Sequence, residues 1–157
     1  MPQAALLVLA GTETKADLGR VVNALQIARE LDEAGDKVTV IFDGAGTQWI
    51  PALSDKEHKY HRLFEQTKGN VAGACSYCAG AYGVKEEIKH TDVELLDEFD
   101  GHPSVRKLIS NGLPDTHLLT AAEGCLRAIR GGLGAVSESR LQPVSYTHLT
   151  LPTTPYV

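Results

Sequence analysis

The sequence has few cysteines, no long apolar run and no excess of basic residues, and each shortage excludes a class of protein. Three cysteines in 157 residues cannot form a disulfide framework, and an odd number is typical of a reducing compartment. No apolar stretch approaches the ~20 residues that cross a bilayer, and residues 1–10 lack the pattern of a signal peptide. The 15 basic residues are outnumbered by 20 acidic ones, which argues against a nucleic-acid binder. We therefore expect a cytoplasmic protein with neither a membrane nor a nucleic acid as its partner.

What is present is an alternation of strands and helices that predicts an α/β fold. Strands are predicted where apolar residues are continuous, at 4–10, 38–42 and 71–75. Helices are predicted where apolar residues recur at helical spacing or follow a capping residue, at 18–31, 54–69, 84–88, 93–99 and from Ser104 to Gly112. Such an alternation favours a three-layer sandwich with a mostly parallel sheet.

The composition changes near Gly112, and the last 45 residues differ from the domain before them. Residues 1–112 hold 12 basic and 17 acidic residues, so they carry the whole net charge of -5. Residues 144–153 resemble one reading frame of an adapter used to prepare sequencing libraries, and a shift of reading frame is consistent with the codons possible at 113–120. We therefore predict an α/β domain at 1–112 and a non-native, poorly packed tail at 113–157. The alternative is a genuine divergent tail with a short helix at 121–129.

Cys75 and Cys78 carry the strongest chemical signal. Cys75 falls where a predicted strand ends and the chain turns towards a helix, so backbone amides and the helix dipole would stabilise its thiolate and lower its pKa. Cys78 follows at the spacing of a dithiol pair, and small neighbours leave room for a second sulfur atom. The simpler alternative is a pair of small buried side chains at a tight strand end.

A metal centre is a third interpretation of the same cysteines. Two cysteines at this spacing supply half of a tetrahedral zinc site, but no second such pair follows. Histidines could complete the site only through long-range folding, and the candidates are His58, His61, His90 and His102. The sequence therefore predicts neither a metal nor any other cofactor.

Three loops are expected to meet beside the cysteines, because ligands of parallel sheets bind beyond the carboxyl ends of the strands. The residues predicted to line this pocket are Thr12, Glu13, Asp43, Gly44, Ser76, Tyr77 and Gly80. Asp43 and Gly44 lack the full spacing of a phosphate-binding loop, so a flexible turn is the simpler interpretation. A carboxylate of Asp43 or Glu13 that faced Cys75 would raise the thiol pKa, and amide hydrogen bonding prevails only if both point to solvent.

The chain resembles the DsrE/DsrF-like sulfur-relay family over residues 4 to 112. That family has a cysteine in the pattern Cys-x3-Ala-x3-Gly-Ile/Val, and Cys75, Ala79, Gly83 and Val84 match it. The resemblance implies a flavodoxin-like three-layer fold and a homo-oligomer, a trimer or a multiple of it. It also implies a protein partner that donates or accepts sulfur.

The resemblance makes a cytoplasmic sulfur carrier or sulfurtransferase the leading function. Cys75 would accept a sulfane sulfur as a persulfide, and Cys78 would resolve or protect that persulfide. Two alternatives stay open: a thiol–disulfide redox protein that cycles both cysteines, and a non-enzymatic module for small-anion binding or assembly. The sequence leaves open whether the protein is an enzyme.

Overall fold

The structure is a computed structural model that describes residues 3–110, and the backbone alone of 117–122 and 125–130. Its strands are β1 (Gln3–Val8), β2 (Lys37–Phe42), β3 (Val71–Cys75), β4 (Leu95–Leu96), β5 (His117–Ala122) and β6 (Cys125–Arg130). They form one sheet in the order β4-β3-β2-β1-β5-β6. All neighbouring strands are parallel except β5 and β6, which are antiparallel. The predicted parallel sheet is therefore confirmed.

The described helices are α1 (Lys15–Glu33), α2 (Trp49–Ser54), α3 (His61–Thr67), α4 (Ser76–Ala81), α5 (Lys85–Lys89) and α6 (Val105–Ser110). Short 3-10 segments lie at Gly44–Gln48 and Lys68–Asn70. The long helix α1 begins after Thr14, whose hydroxyl accepts the backbone N–H of Asp17, and ends before Gly35, which has a positive φ. None of the helices in this part of the chain combines the length and the apolar character that a bilayer crossing demands.

The main core lies between one face of the sheet and α1 and α3. Val40 and Phe42 of β2 are fully buried there with Leu25 and Phe64 of the helices, and the two phenylalanine rings meet edge to face at 6.2 Å. Successive strand residues point to opposite faces, so Ile41 faces the other side, where α6 lies across a cavity of about 250 Å³. Helices on both faces confirm the three-layer α/β sandwich.

The predicted helix at 93–99 is wrong, because this segment forms the short strand β4 and a tight turn. β4 pairs with the end of β3 and places Leu96 beside Cys75. Seven residues are too few for a stable isolated helix, so hydrogen bonding to the open edge of β3 decides the conformation. Gly73 permits this close pairing, since a Cβ at that position would lie 2.5 Å from the carbonyl oxygen of Glu94.

The predicted helix at 54–69 is only partly correct. α2 ends at Ser54 and α3 begins at His61, so turns separate the two helices. In the first turn, the Asp55 carboxylate accepts the backbone N–H of Glu57 at 2.9 Å. An aspartate that bonds the chain two residues ahead favours a turn over a helix, which is why the helix does not start at Ser54.

The backbone of 117–122 pairs with β1, and the backbone of 125–130 pairs with 117–122. These segments form strands, not the short helix considered for 121–129. The division into a domain at 1–112 and a non-native tail at 113–157 stays a prediction. Residues 131–157, which include the adapter-like segment, lie outside the described residues.

Candidate functional site

Four side chains from four segments converge at the carboxyl ends of β2 and β3. Asp43 follows β2, Cys75 ends β3, Cys78 belongs to α4, and His102 follows the turn after β4. One donor atom of each lies within 4.8 Å of the other three. We call these four residues the thiol site. The rule for parallel sheets predicts one pocket that contains Thr12, Asp43 and Cys75, and the structure brings the last two together in this cluster.

Cys75 is fully buried at the start of α4, and its sulfur is surrounded by polar groups. The backbone N–H of Cys78 donates to Cys75 Sγ at 3.4 Å. His102 Nδ1 lies 3.2 Å from the same sulfur, close enough for a hydrogen bond and for proton transfer. The thiol can also donate to the carbonyl oxygen of Gly101 at 3.8 Å. Cys75 therefore has an amide donor, an imidazole and a carbonyl acceptor around one sulfur atom.

A tight turn positions the imidazole of His102. Phe99 and His102 exchange two backbone hydrogen bonds of 2.9 and 2.8 Å. The two residues between them, Asp100 and Gly101, have positive φ angles of 49° and 82°, as a type I′ turn requires. The backbone N–H of Tyr77 donates to the Gly101 carbonyl at 2.8 Å, which ties this turn to the start of α4. The position of the imidazole thus depends on two backbone connections.

The two cysteines differ in their access to solvent. Cys75 is buried, whereas Cys78 is half-buried. Tyr77 is 61% exposed, and its ring packs at a tilt against the ring of His102, with 4.8 Å between their centroids. A reagent in solution can therefore reach Cys78 more directly than Cys75, and the Tyr77 ring packs against the imidazole that contacts Cys75.

The surroundings oppose ionisation of both thiols. Burial and the Asp43 carboxylate raise the pKa of Cys75 to about 12, although the amide of Cys78 acts in the opposite direction. Burial and the same carboxylate also raise the pKa of Cys78, against the effect of the Cys75 side chain and the Gly44 amide. The predicted lowering of the Cys75 pKa is wrong, because Asp43 acts on the sulfur instead of pointing away from it. Both shifts favour the neutral thiol over the thiolate.

Four of the predicted pocket residues adjoin the thiol site along the chain. Gly44 donates its backbone N–H to Asp43 Oδ1 at 2.7 Å and so orients the carboxylate. Ser76 is buried at the first position of α4, and Tyr77 covers His102. Gly80 lies near the other end of α4, where it is exposed.

The other two predicted pocket residues line clefts that contain none of the four residues of the thiol site. Thr12 is exposed and lines a cleft with Trp49 and His58. Glu13 is exposed and also lines a cleft of about 390 Å³ that includes Arg20. Their participation in chemistry at the cysteines stays a prediction.

His102 is the residue of the site whose role the sequence analysis missed. It is one of four histidines that only long-range folding could bring to the cysteines, and the spacing of the cysteines does not distinguish it from the other three. A usable signal lay just before it, since an Asp-Gly pair is a strong local indication of a two-residue hairpin turn. Asp100 and Gly101 form that turn, and the helix predicted at 93–99 obscured it.

The described residues define a class: α/β sandwich proteins with a thiol pair at the strand ends, beside an imidazole and a carboxylate. No model of a known protein family matches the chain. It is 34% identical over 92 residues to the uncharacterized protein MJ0733 of Methanocaldococcus jannaschii, a match that covers 59% of this chain and 74% of that protein. The chain belongs to the family of that archaeal protein.

Among solved structures, the ychN protein from Escherichia coli is similar at 17% identity. The match covers 76% of this chain and 99% of that one, with a TM-score of 0.48. Likeness at this level carries no argument about function. The resemblance to DsrE/DsrF-like proteins therefore stays a prediction that rests on the cysteine motif.

Proposed function

We propose that the protein is a sulfur carrier or sulfurtransferase that holds a sulfane sulfur as a persulfide on Cys75. The observation that supports this function best is the 3.2 Å contact between Cys75 Sγ and His102 Nδ1. A thiol with a pKa of about 12 is protonated at neutral pH, so it needs a base in contact with it before it can attack. His102 is that base, and the Cys78 amide stabilises the thiolate that forms.

The proposed step is the transfer of a sulfur atom between persulfide and thiol. His102 takes the proton of Cys75, and the thiolate attacks the outer sulfur of a donor persulfide. A new S–S bond forms as the donor's S–S bond breaks, and the departing donor thiolate recovers the proton from His102. Atoms and electrons balance without an external oxidant. Cys78 can then attack the inner sulfur of the Cys75 persulfide, which releases hydrogen sulfide and leaves a Cys75–Cys78 disulfide.

Access to the buried sulfur is part of the proposal. Cys75 has no exposed surface, so a donor reaches it only when the cover over the site moves. Tyr77 is the exposed part of that cover and contacts the ring of His102. We expect Tyr77→Ala to speed the uptake of sulfur from a small polysulfide donor, because it opens the path without removing a reacting group.

Mass spectrometry after treatment with a polysulfide donor tests the function. All variants are made in a Cys125→Ser background, so that only Cys75 and Cys78 can react. We expect the mass of one added sulfur atom, located on Cys75 by fragmentation, and no stable addition in Cys75→Ser. His102→Ala slows uptake, whereas His90→Ala, which alters an exposed histidine remote from the cysteines in sequence, does not. Uptake at an unchanged rate in Cys75→Ser contradicts the proposal.

A thiol–disulfide redox function is the second candidate, and the spacing of the two sulfur atoms favours it. They belong to the same cluster, within 4.8 Å, and one turn of chain separates them. A disulfide needs about 2.05 Å between sulfur atoms, which side-chain rotation can supply. Equilibration with glutathione buffers tests this candidate, because a redox protein forms and loses the Cys75–Cys78 disulfide reversibly there, whereas a sulfur carrier gains a sulfur atom only from a persulfide or polysulfide donor. The Asp43 carboxylate argues against small-anion binding, since it repels a negative charge.

We also propose that the chain acts in the cytoplasm as a homo-oligomer, a trimer or a multiple of it, with a protein that donates or accepts sulfur. The free thiols of Cys75 and Cys78 suit a reducing compartment. The oligomer rests on the DsrE/DsrF-like resemblance. Light scattering of the purified protein measures its mass in solution, and the mass of one chain contradicts the oligomer.

A further inference from the structure

We propose that the thiol site is also a tetrahedral binding site for a single zinc ion. Its donors are two sulfur atoms, one imidazole nitrogen and one carboxylate oxygen, which are the ligand types that zinc takes in proteins. The inference does not depend on sulfur carriage, because it concerns the donor set alone. It also differs from the expectation drawn from the sequence, which found only two ligands and predicted no metal.

The distances between the donor atoms suit a shared ion. Zinc binds sulfur at about 2.3 Å and imidazole nitrogen at about 2.0–2.1 Å, so two such donors on one tetrahedral ion lie about 3.5 Å apart. Cys75 Sγ and His102 Nδ1 are 3.2 Å apart. All four donor atoms lie within 4.8 Å of one another, so displacements of about 1 Å bring the remaining donors to bonding distance.

Fixed parts of the backbone hold the four donors. Parallel pairing sets Phe42 beside Ala74, so the residues that follow them, Asp43 and Cys75, lie side by side at the end of the sheet. Cys78 is one turn further along the chain, which gives the two-cysteine chelate common in zinc sites. The type I′ turn carries His102, and its hydrogen bond to α4 joins it to the same helix that carries Cys78.

A hydrogen bond behind one donor orients it as such bonds orient metal ligands. The Gly44 N–H donates to Asp43 Oδ1 at 2.7 Å, which fixes the direction of this carboxylate before an ion arrives. Within the described residues, no lysine or arginine forms an ion pair with Asp43. A divalent cation bound at this site would provide a positive charge to balance the Asp43 carboxylate.

Zinc and a persulfide would compete for Cys75, and this consequence rests on the proposed function. Zinc lowers the nucleophilicity of a bound sulfur, and it also occupies His102 Nδ1, so the imidazole can no longer act as the base. Zinc-loaded protein is therefore expected to take up sulfur at least tenfold more slowly than the metal-free protein. Removal of the ion with a chelator restores uptake.

Titration of the metal-free, reduced protein with cobalt(II) and zinc(II) tests the inference, again in the Cys125→Ser background. We expect one equivalent of cobalt, with the visible bands of a tetrahedral ion and sulfur-to-cobalt charge transfer, and displacement of cobalt by zinc. His102→Ala, Cys78→Ser and Asp43→Asn each weaken binding at least tenfold, since even the groups behind zinc ligands contribute that much. The matched controls His90→Ala and Asp92→Asn bind as the parent protein does.

The results separate the two proposals. An absence of tetrahedral cobalt bands in the parent protein overturns the zinc site, as does unchanged binding in His102→Ala that retains the parent circular dichroism spectrum. Metal binding without persulfide formation by the metal-free protein supports the zinc site and contradicts the proposed function. Persulfide formation without metal binding does the reverse.

Discussion

Residues 3–42 and residues 71–110 are held together in different ways. The first region consists of two six-residue strands and one helix of 19 residues. Buried apolar side chains such as Val40 and Leu25 hold these elements together. In the second region no described helix exceeds six residues and β4 has only two, so hydrogen bonds between segments and a glycine turn set its shape. Three of the four residues of the thiol site belong to the second region. Regular elements supply stability here, whereas irregular ones supply the geometry of the site.

The largest change in stability is expected from a cavity in the first region. Leu25 is a fully buried residue of α1, so Leu25→Ala should leave a cavity and lower the free energy of unfolding by about 2–5 kcal/mol. Urea denaturation followed by circular dichroism measures the loss. Leu31→Ala is the control, because Leu31 lies on the same helix but is only partly buried. If the two variants lost equal stability, burial would not explain what holds this region together.

The next largest loss of stability is expected where β3 and β4 approach closely at Gly73 in the second region. A Cβ at Gly73 would lie 2.5 Å from the Glu94 carbonyl oxygen and 2.7 Å from Leu96 Cγ, so Gly73→Ala should push β4 away from β3. We expect a loss of about 1–3 kcal/mol in urea denaturation. Because β4 leads into the turn that carries His102, sulfur uptake should slow as well. Gly69→Ala is the control, since a Cβ there meets nothing within 4 Å. Normal uptake in a destabilised Gly73→Ala would uncouple β4 from the site.

The buried thiol should make stability depend on alkaline pH. The pKa of Cys75 is about 12 in the folded protein, raised from 9.0, so the folded state keeps a proton that the unfolded chain releases. Its stabilising contribution is complete below about pH 9 and is lost as the pH rises towards 12. Within this window the loss is about 1.4 kcal/mol per pH unit.

Urea denaturation at neutral pH and at about pH 10 measures this slope. In Cys75→Ala the free energy of unfolding should fall less steeply with pH, because only the other titrating groups then contribute to the slope. An identical slope in the parent protein and in Cys75→Ala would show that the thiol does not carry the dependence.

The smallest change is expected from the charge of Asp43, which follows the first region in sequence and lies beside Cys75 and Cys78 of the second. Asp43→Asn removes the carboxylate that raises the pKa of both thiols, so each ionises more easily. We expect alkylation by iodoacetamide at neutral pH to become roughly tenfold faster, because the thiolate is the form that reacts. Asparagine can still accept the Gly44 N–H, so stability should change little. Asp92→Asn is the control, and an equal acceleration there would exclude a local effect of Asp43.

The same contrast explains what the sequence could predict. β1, α1 and β2 have apolar patterns long enough to show their period, and Cys75 was placed correctly at a strand end because β3 is a continuous apolar run. β4 has two residues, which is too short for any period, and its pairing depends on the edge of β3. The thiol pKa could not be predicted because its direction depends on where the Asp43 side chain points, and that is decided by packing.

The wide separation of the thiol site's residues along the chain has a consequence for folding. Asp43 precedes Cys75 by 32 residues and His102 follows it by 27, so no short fragment holds the whole site. Contacts between distant residues form late, because the chain must first close the loops between them. During synthesis the cysteines emerge before His102, so the site is assembled only when the sheet from β1 to β4 is in place. Protection of the buried Cys75 thiol from alkylation is therefore a measure of completed folding.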